Sequence, residues 1–295
     1  MKRILLLCTV ITAVFLTGCG KGNTPRPQIE DMVCVRDNRY TCTFEGVKHN
    51  LIIDLPESSE NAPLVLMLHG YGNTAESFRT SVHFEEKANP LGYAVVYAEG
   101  STVPGDRTSS TGWNSEELPD GSRDTEFLAA LAGYLQDEYS LDRNSTFAVG
   151  FSNGAFMTHT LAMRKSDTFS ACVSVAGIMQ KNVWDSRNST ASVGFFQITG
   201  EKDKAVPKHS DGTADHSKAP AIEDVMDYWA DANGSALSDS ITIGKGSVLS
   251  EYENKDTRRQ VWHLIVKDGS HSWPAAQYNG FDADDIILEF LETQR

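Results

Sequence analysis

The chain has 295 residues, with 40 Asp and Glu against 26 Lys and Arg, a formal charge of −14 at neutral pH. So acidic a balance repels phosphate backbones and argues against a nucleic-acid partner, and it gives no general attraction to anionic lipid. The length suffices for one α/β domain with a large core, and the five cysteines have no spacing that suggests structural zinc.

The chain begins MKRILLLCTVITAVFLTGCG. Two basic residues precede an apolar run from Ile4 to Leu16, shorter than the roughly 20 residues of a membrane span, so residues 1–18 read as an export signal. Leu16-Thr17-Gly18-Cys19 resembles the bacterial lipobox, which implies that Cys19 becomes the lipid-bearing first residue of the mature protein. Each buried acyl methylene contributes about 0.8 kcal/mol to such an anchor. Residues 19–39, rich at first in Gly, Pro and polar side chains, are expected to be a tether, and residues 40–295 the folded domain. Export permits disulfides, and Cys34 and Cys42 flank a hairpin-like VRDNRYT, so a bridge between them is a possible feature. Cys172, within ACVSVAG, reads as a buried apolar residue.

The segment 49–56 alternates as an edge strand does, and antiparallel strands are expected over 40–56. The runs at 64–70, 93–100, 145–150, 169–177 and 193–200 are nearly continuously apolar, as in strands covered on both faces, and 259–269 is a late strand. Helical spacing marks 124–139, 154–165, 219–233 and 282–293. Strand alternating with helix from residue 64 onward predicts a mostly parallel central sheet with helices on both faces. The Gly-, Ser-, Thr- and Pro-rich stretch 101–122 reads as a long loop, of the kind that often belongs to a site.

Gly150-Phe151-Ser152-Asn153-Gly154 lies between a strand and a helix. A nucleophile on such a sharp turn needs very small neighbours two residues away on each side, and the helix N-terminus behind it favours negative charge. A base must follow. His271 comes directly after the last predicted strand, at the sheet end where α/β folds gather their sites, whereas His159 reads as packed, His209 and His216 as surface residues and His263 as a sheet-face residue. Asp203, in the turn after the 193–199 strand and before Ala-Val-Pro, is the expected orienting carboxylate, with Glu201 as the alternative. The Asn153 amide is one expected oxyanion donor and the Tyr71 amide, in the loop after LHG, the other. His69 is expected to order that loop rather than to catalyse. The order Ser, Asp, His is that of α/β-hydrolases, and this chemistry requires neither metal nor organic cofactor.

PLVLMLHGYGNTAESF, AVGFSNGAFMTHTLA, ITGEKDKAVP and DGSHSWP together resemble the feruloyl esterase and polyhydroxybutyrate depolymerase-like group of secreted α/β-hydrolases, over about residues 45–293. The resemblance implies a serine carboxylic-ester hydrolase with Ser152, Asp203 and His271 as its triad and Tyr71 in its oxyanion hole. It further implies that Trp273, and Trp113 within TGWNSEE, border the substrate pocket. No polymer- or sugar-binding module is visible, which favours a soluble fragment or nearby cell-surface material. A feruloyl or related plant cell-wall carbohydrate ester is the expected substrate, ahead of a polyhydroxybutyrate-type ester. A serine peptidase and a ligand-binding lipoprotein with a dead cleft are the remaining rivals.

Overall fold

The computed structural model describes residues 28–101, 110–119, 121–188, 190–206 and 219–295. Cys19 and the expected export signal lie outside these residues. The described strands are β1 (Ile29–Arg36), β2 (Arg39–Phe44), β3 (Val47–Asp54), β4 (Leu64–Leu68), β5 (Ala94–Ala98), β6 (Thr146–Phe151), β7 (Ala171–Val175), β8 (Gly194–Gly200), β9 (Ala236–Ile243), β10 (Ser247–Glu253) and β11 (Val261–Val266). They form one sheet in the order β1-β2-β3-β5-β4-β6-β7-β8-β11-β10-β9.

The six strands from β5 to β11 in that order run parallel, while β1, β2 and β3 on one side and β10 and β9 on the other pair antiparallel. The sheet is therefore mixed, which corrects the expected mostly parallel arrangement. Parallel pairing needs both faces covered, and only the central strands are so covered. Every residue of β4, β5 and β7 is buried, whereas β9 is exposed along nearly its whole length.

The helices are α1 (Ala75–Val82), α2 (Phe84–Ala88), α3 (Asp124–Tyr139), α4 (Asn153–Arg164), α5 (Lys181–Asp185), α6 (Ile222–Asn233), α7 (Ala276–Asn279) and α8 (Ala283–Thr293). Leu128 and Leu131 of α3, Met157 and Leu161 of α4 and Trp229 of α6 pack with Leu64, Leu66 and Leu68 on one face of the sheet. Phe78 of α1, Phe84 of α2 and Ile287 and Phe290 of α8 pack with Val65, Met67 and Val95 on the other. Burying one such side chain fully contributes roughly 1.5–3 kcal/mol. A Leu66→Ala change, which also opens a cavity, would cost about 2–5 kcal/mol.

Two expectations for the N-terminal region change. Residues 29–36 are a strand paired with β2, so the folded region reaches into the segment read as tether. Cys34 and Cys42 are free thiols rather than a disulfide. The hairpin between them does form, but its register puts Tyr40, not Cys42, opposite Cys34. Cys42 packs into the core, while Cys34 is exposed with its thiol 3.3 Å from the Asp37 carbonyl. A disulfide needs two Cβ atoms facing each other at about 3.8 Å.

Candidate active site

Ser152 joins β6 to α4 in the conformation φ 53°, ψ −118°, a left-handed backbone that a non-glycine residue rarely adopts. The turn is held by the Ser152 amide donating to the Val175 carbonyl (3.0 Å) and the Phe156 amide donating to the Ser152 carbonyl (2.9 Å). The flanking glycines are sterically required. A Cβ on Gly150 would lie 2.2 Å from the Gly154 carbonyl oxygen, and one on Gly154 would lie 2.1 Å from that of Leu68. This close approach draws the β6–α4 turn against the end of β4 and projects the serine from the carboxyl end of the sheet.

The loops after β8 and β11 bring their side chains to the same place. His271 Nε2 lies 2.9 Å from Ser152 Oγ, and His271 Nδ1 lies 2.8 Å from Asp203 Oδ2. A carboxylate oxygen only accepts, so Nδ1 carries the ring proton and Nε2 is the acceptor for the serine hydroxyl. Asp203 is itself fixed, because its Oδ1 accepts from the Ala205 amide (2.9 Å) and the Val206 amide (2.8 Å). Its side chain is only 1% exposed. The Ala-Val pair thus holds the aspartate through its backbone amides. Glu201 sits apart on the surface, where its carboxylate binds Lys267 (3.1 Å) and the Asp268 amide (3.1 Å). The Asp268 amide and the Lys267 ammonium hold Glu201 below the usual glutamate range.

The loop after β4 lies against the serine: a Cβ on Gly70 would be 3.4 Å from Ser152 Cβ. His69 anchors this loop. Its Nδ1 donates to the Gly70 carbonyl (2.8 Å), its Nε2 accepts from the Gly100 amide (3.0 Å), and its ring is fully buried. Burial pushes its pKa down, so the ring is neutral and both nitrogens are spent. Tyr71 follows Gly70 directly and is 51% exposed. The Asn153 amide opens α4, where the first N–H groups have no intrahelical acceptor.

The two tryptophans differ in their positions. Trp113 is 1% exposed, borders the cavity beside Ser152, and donates its indole N–H to the His69 carbonyl (2.9 Å). Trp273 does not border that cavity. Its indole N–H donates to Asp284 Oδ1 (2.9 Å), and its ring packs edge-on against Phe78 and Phe151. The residue two positions after His271 turns back onto the α1–α8 side of the sheet, so the expected pair of aromatic pocket walls is not formed.

The cavity has a volume of about 520 Å³ and opens onto Ser152 and His271. Phe156, Val206, Ala205 and Leu118 supply apolar wall, and Asn114, Glu116 and Gln180 polar wall. Gln180 lies outside any motif, and Glu116, although inside TGWNSEE, is an ordinary acidic residue with no spacing that marks it. Among the described residues, one group of three side chains has metal-ligand geometry: His83, Glu85 and Glu86. There Glu85 is already taken by Arg79 (2.9 Å) and the Tyr97 hydroxyl (2.6 Å).

An elbow serine with a histidine and an aspartate from later strand ends, on this helix-covered sheet, defines a serine-hydrolase site of the α/β-hydrolase superfamily. Residues 49–206, more than half of the chain, match the family described as esterase PHB depolymerase, and the chain belongs to that family. It is 26% identical over 246 residues to NocK of Nocardia uniformis subsp. tsuyamanensis, covering 76% of this chain and 69% of NocK. It is 24% identical over 160 residues to the bifunctional acetylxylan esterase/xylanase XynS20E of Neocallimastix patriciarum, covering 54% of this chain but only 22% of that protein. The fold is similar to that of an acetyl xylan esterase from Aspergillus awamori, with a TM-score of 0.57 at 13% identity over 83% of this chain and 94% of the other.

Proposed function

We propose that the protein hydrolyses carboxylic esters through an acyl-enzyme on Ser152. The observation that carries this reading is the chain of contacts from Ser152 Oγ to His271 Nε2 at 2.9 Å and from His271 Nδ1 to Asp203 Oδ2 at 2.8 Å. His271 takes the hydroxyl proton as Oγ attacks the ester carbonyl, and Asp203 stabilises the imidazolium that forms. The carbonyl oxygen becomes an oxyanion held by the Tyr71 and Asn153 amides. Collapse expels the alcohol, which receives the proton from His271. Water then attacks the acyl-enzyme with His271 again as base, and the acid leaves as Ser152 recovers its proton.

The acyl group in this reading is short. A planar feruloyl group would gain most from two aromatic walls, but Trp273 faces Phe78 and Phe151, and the Trp113 indole is tied to the His69 carbonyl. The family description supports a 3-hydroxybutyrate-type ester over a feruloyl one. The names of XynS20E and of the Aspergillus awamori structure support a second reading, an acetyl ester on a carbohydrate. A panel of methyl 3-hydroxybutyrate, acetylated xylo-oligosaccharide and methyl ferulate tests the acyl assignment. Both short-acyl substrates are expected to exceed methyl ferulate in kcat/KM, and the opposite order would remove the assignment.

The same proposal includes export and lipid attachment at Cys19, supported by Leu16-Thr17-Gly18-Cys19 after the apolar run. Mass spectrometry of the mature N-terminus tests it. A lipid-modified Cys19 is expected, and an unmodified N-terminus downstream of Cys19 would contradict it.

A further inference from the structure

We propose that Gln180 determines specificity on the alcohol side of the ester, and that it selects a neutral, hydroxyl-bearing alcohol such as a sugar. This rests on the esterase reading above and favours its carbohydrate form. Gln180 precedes α5 with φ −68° and ψ 149°, and its carbonyl accepts from the Trp184 amide (3.0 Å). The residue is only 8% exposed, and its side chain makes no bond to the α5 N-terminus. It borders the cavity it shares with Ser152 and His271.

A carboxamide lining the cavity can exchange its bonds to water for bonds to a bound group that matches it. The carboxamide offers both a donor and an acceptor, which matches a hydroxyl group, itself both donor and acceptor. Glu116 borders the same cavity with an acceptor-only carboxylate, and the Asn182 side chain ties its backbone to the α5 segment. The two wall segments are further joined by Arg164, which binds Glu117 (2.8 Å) and the Ser186 carbonyl (3.0 Å). A vicinal diol can accept from Gln180 and donate to Glu116 at once. The carboxylate end of a hydroxybutyrate oligomer would instead meet the negative charge of Glu116.

The test compares kcat/KM for acetylated xylotriose and for 4-nitrophenyl acetate, whose alcohol carries no hydroxyl beyond the leaving oxygen, in wild type and Gln180→Met. Methionine keeps the length and removes both polar groups. The ratio of the sugar ester to the nitrophenyl ester is expected to fall about tenfold, mostly through KM. If the fold suffers in Gln180→Met, Gln180→Asn, which withdraws the carboxamide from the cavity, is read by the same ratio. Inhibition by deacetylated xylotriose is expected to weaken in parallel. An unchanged ratio in a folded variant overturns the role of Gln180 and leaves the esterase reading intact. A wild type that cleaves methyl 3-hydroxybutyrate and ignores acetylated xylotriose overturns the carbohydrate reading and this inference together.

Discussion

The Asn153 side chain grips the backbone of Trp113 from both sides: its Oδ1 accepts from the Trp113 amide at 2.7 Å, and its Nδ2 donates to the Trp113 carbonyl at 3.1 Å. The residue after the nucleophile is thereby bonded to the wall of the cavity. Trp113 passes the connection to the loop after β4 through its indole bond to His69. Asn153→Ala would keep the backbone amide proposed for the oxyanion and leave two buried peptide groups unpaired. The expected cost is about 1–3 kcal/mol of stability, read by urea unfolding, with a fall in kcat/KM on 4-nitrophenyl acetate. Unaltered stability would mean that the clamp does not hold the wall.

Asp203→Asn should lower kcat by about 10⁴, because the amide no longer holds His271 in the tautomer that leaves Nε2 free to accept. Glu201→Gln should change kcat little, since Glu201 faces Lys267 and Asp268. Steady-state kinetics on 4-nitrophenyl acetate decide between them, and the reverse pattern would transfer the orienting role to Glu201.

The sheet's centre and the three side chains that meet at its carboxyl end were legible in the sequence for physical reasons. Strands buried on both faces read as unbroken apolar runs, and Leu64–Leu68 and Ala94–Ala98 appear where such runs occur. The elbow left its mark in Gly150 and Gly154 because the close approach there allows no side chain. The β9–β10 hairpin left no such mark: ALSDSITI is exposed along most of its length, so no buried face constrains its residues. Trp273 was misread because its proximity to His271 in sequence does not set its direction. That direction is fixed by Asp284, contributed by α8. Gln180 carried no signal, since only the folded chain brings it to the cavity beside Ser152.

Asp284 makes stability depend on pH. Burial pushes its carboxyl up to about 6, against the opposing pull of the Trp273 indole N–H and of Lys87, while Asp282 and Asp285 add like charge. An unfolded aspartate titrates near about 3.9. Between these values the folded protein binds the proton more tightly, so this contribution is present below about pH 4 and is lost as pH rises through about 6. Asp284→Asn keeps an acceptor for the indole and removes the charge. It should stabilise the protein by the order of 1–3 kcal/mol at pH 7.5 and give no gain at pH 3.5. Thermal unfolding at the two values is the check, and an equal gain at both would discard the titration account.

Native-state alkylation addresses the three described cysteines. Iodoacetamide should modify the exposed Cys34 readily and leave the buried Cys42 and Cys172 until the protein is denatured. Burial also pushes the Cys42 thiol up to about 12, which suppresses the reactive thiolate. A peptide mass joining residues 34 and 42 would show that the hairpin shifts register to form a bridge.

The central claim is that Ser152 is the nucleophile, and covalent labelling reaches it most directly. A fluorophosphonate probe reacts with a hydroxyl activated by a neighbouring base and leaves a stable adduct, which peptide mass spectrometry locates to one residue. In the wild-type protein one adduct is predicted, on Ser152, and it should disappear in Ser152→Ala and weaken sharply in His271→Ala. Labelling of another serine at the wild-type rate, with Ser152 unmodified, would contradict the account.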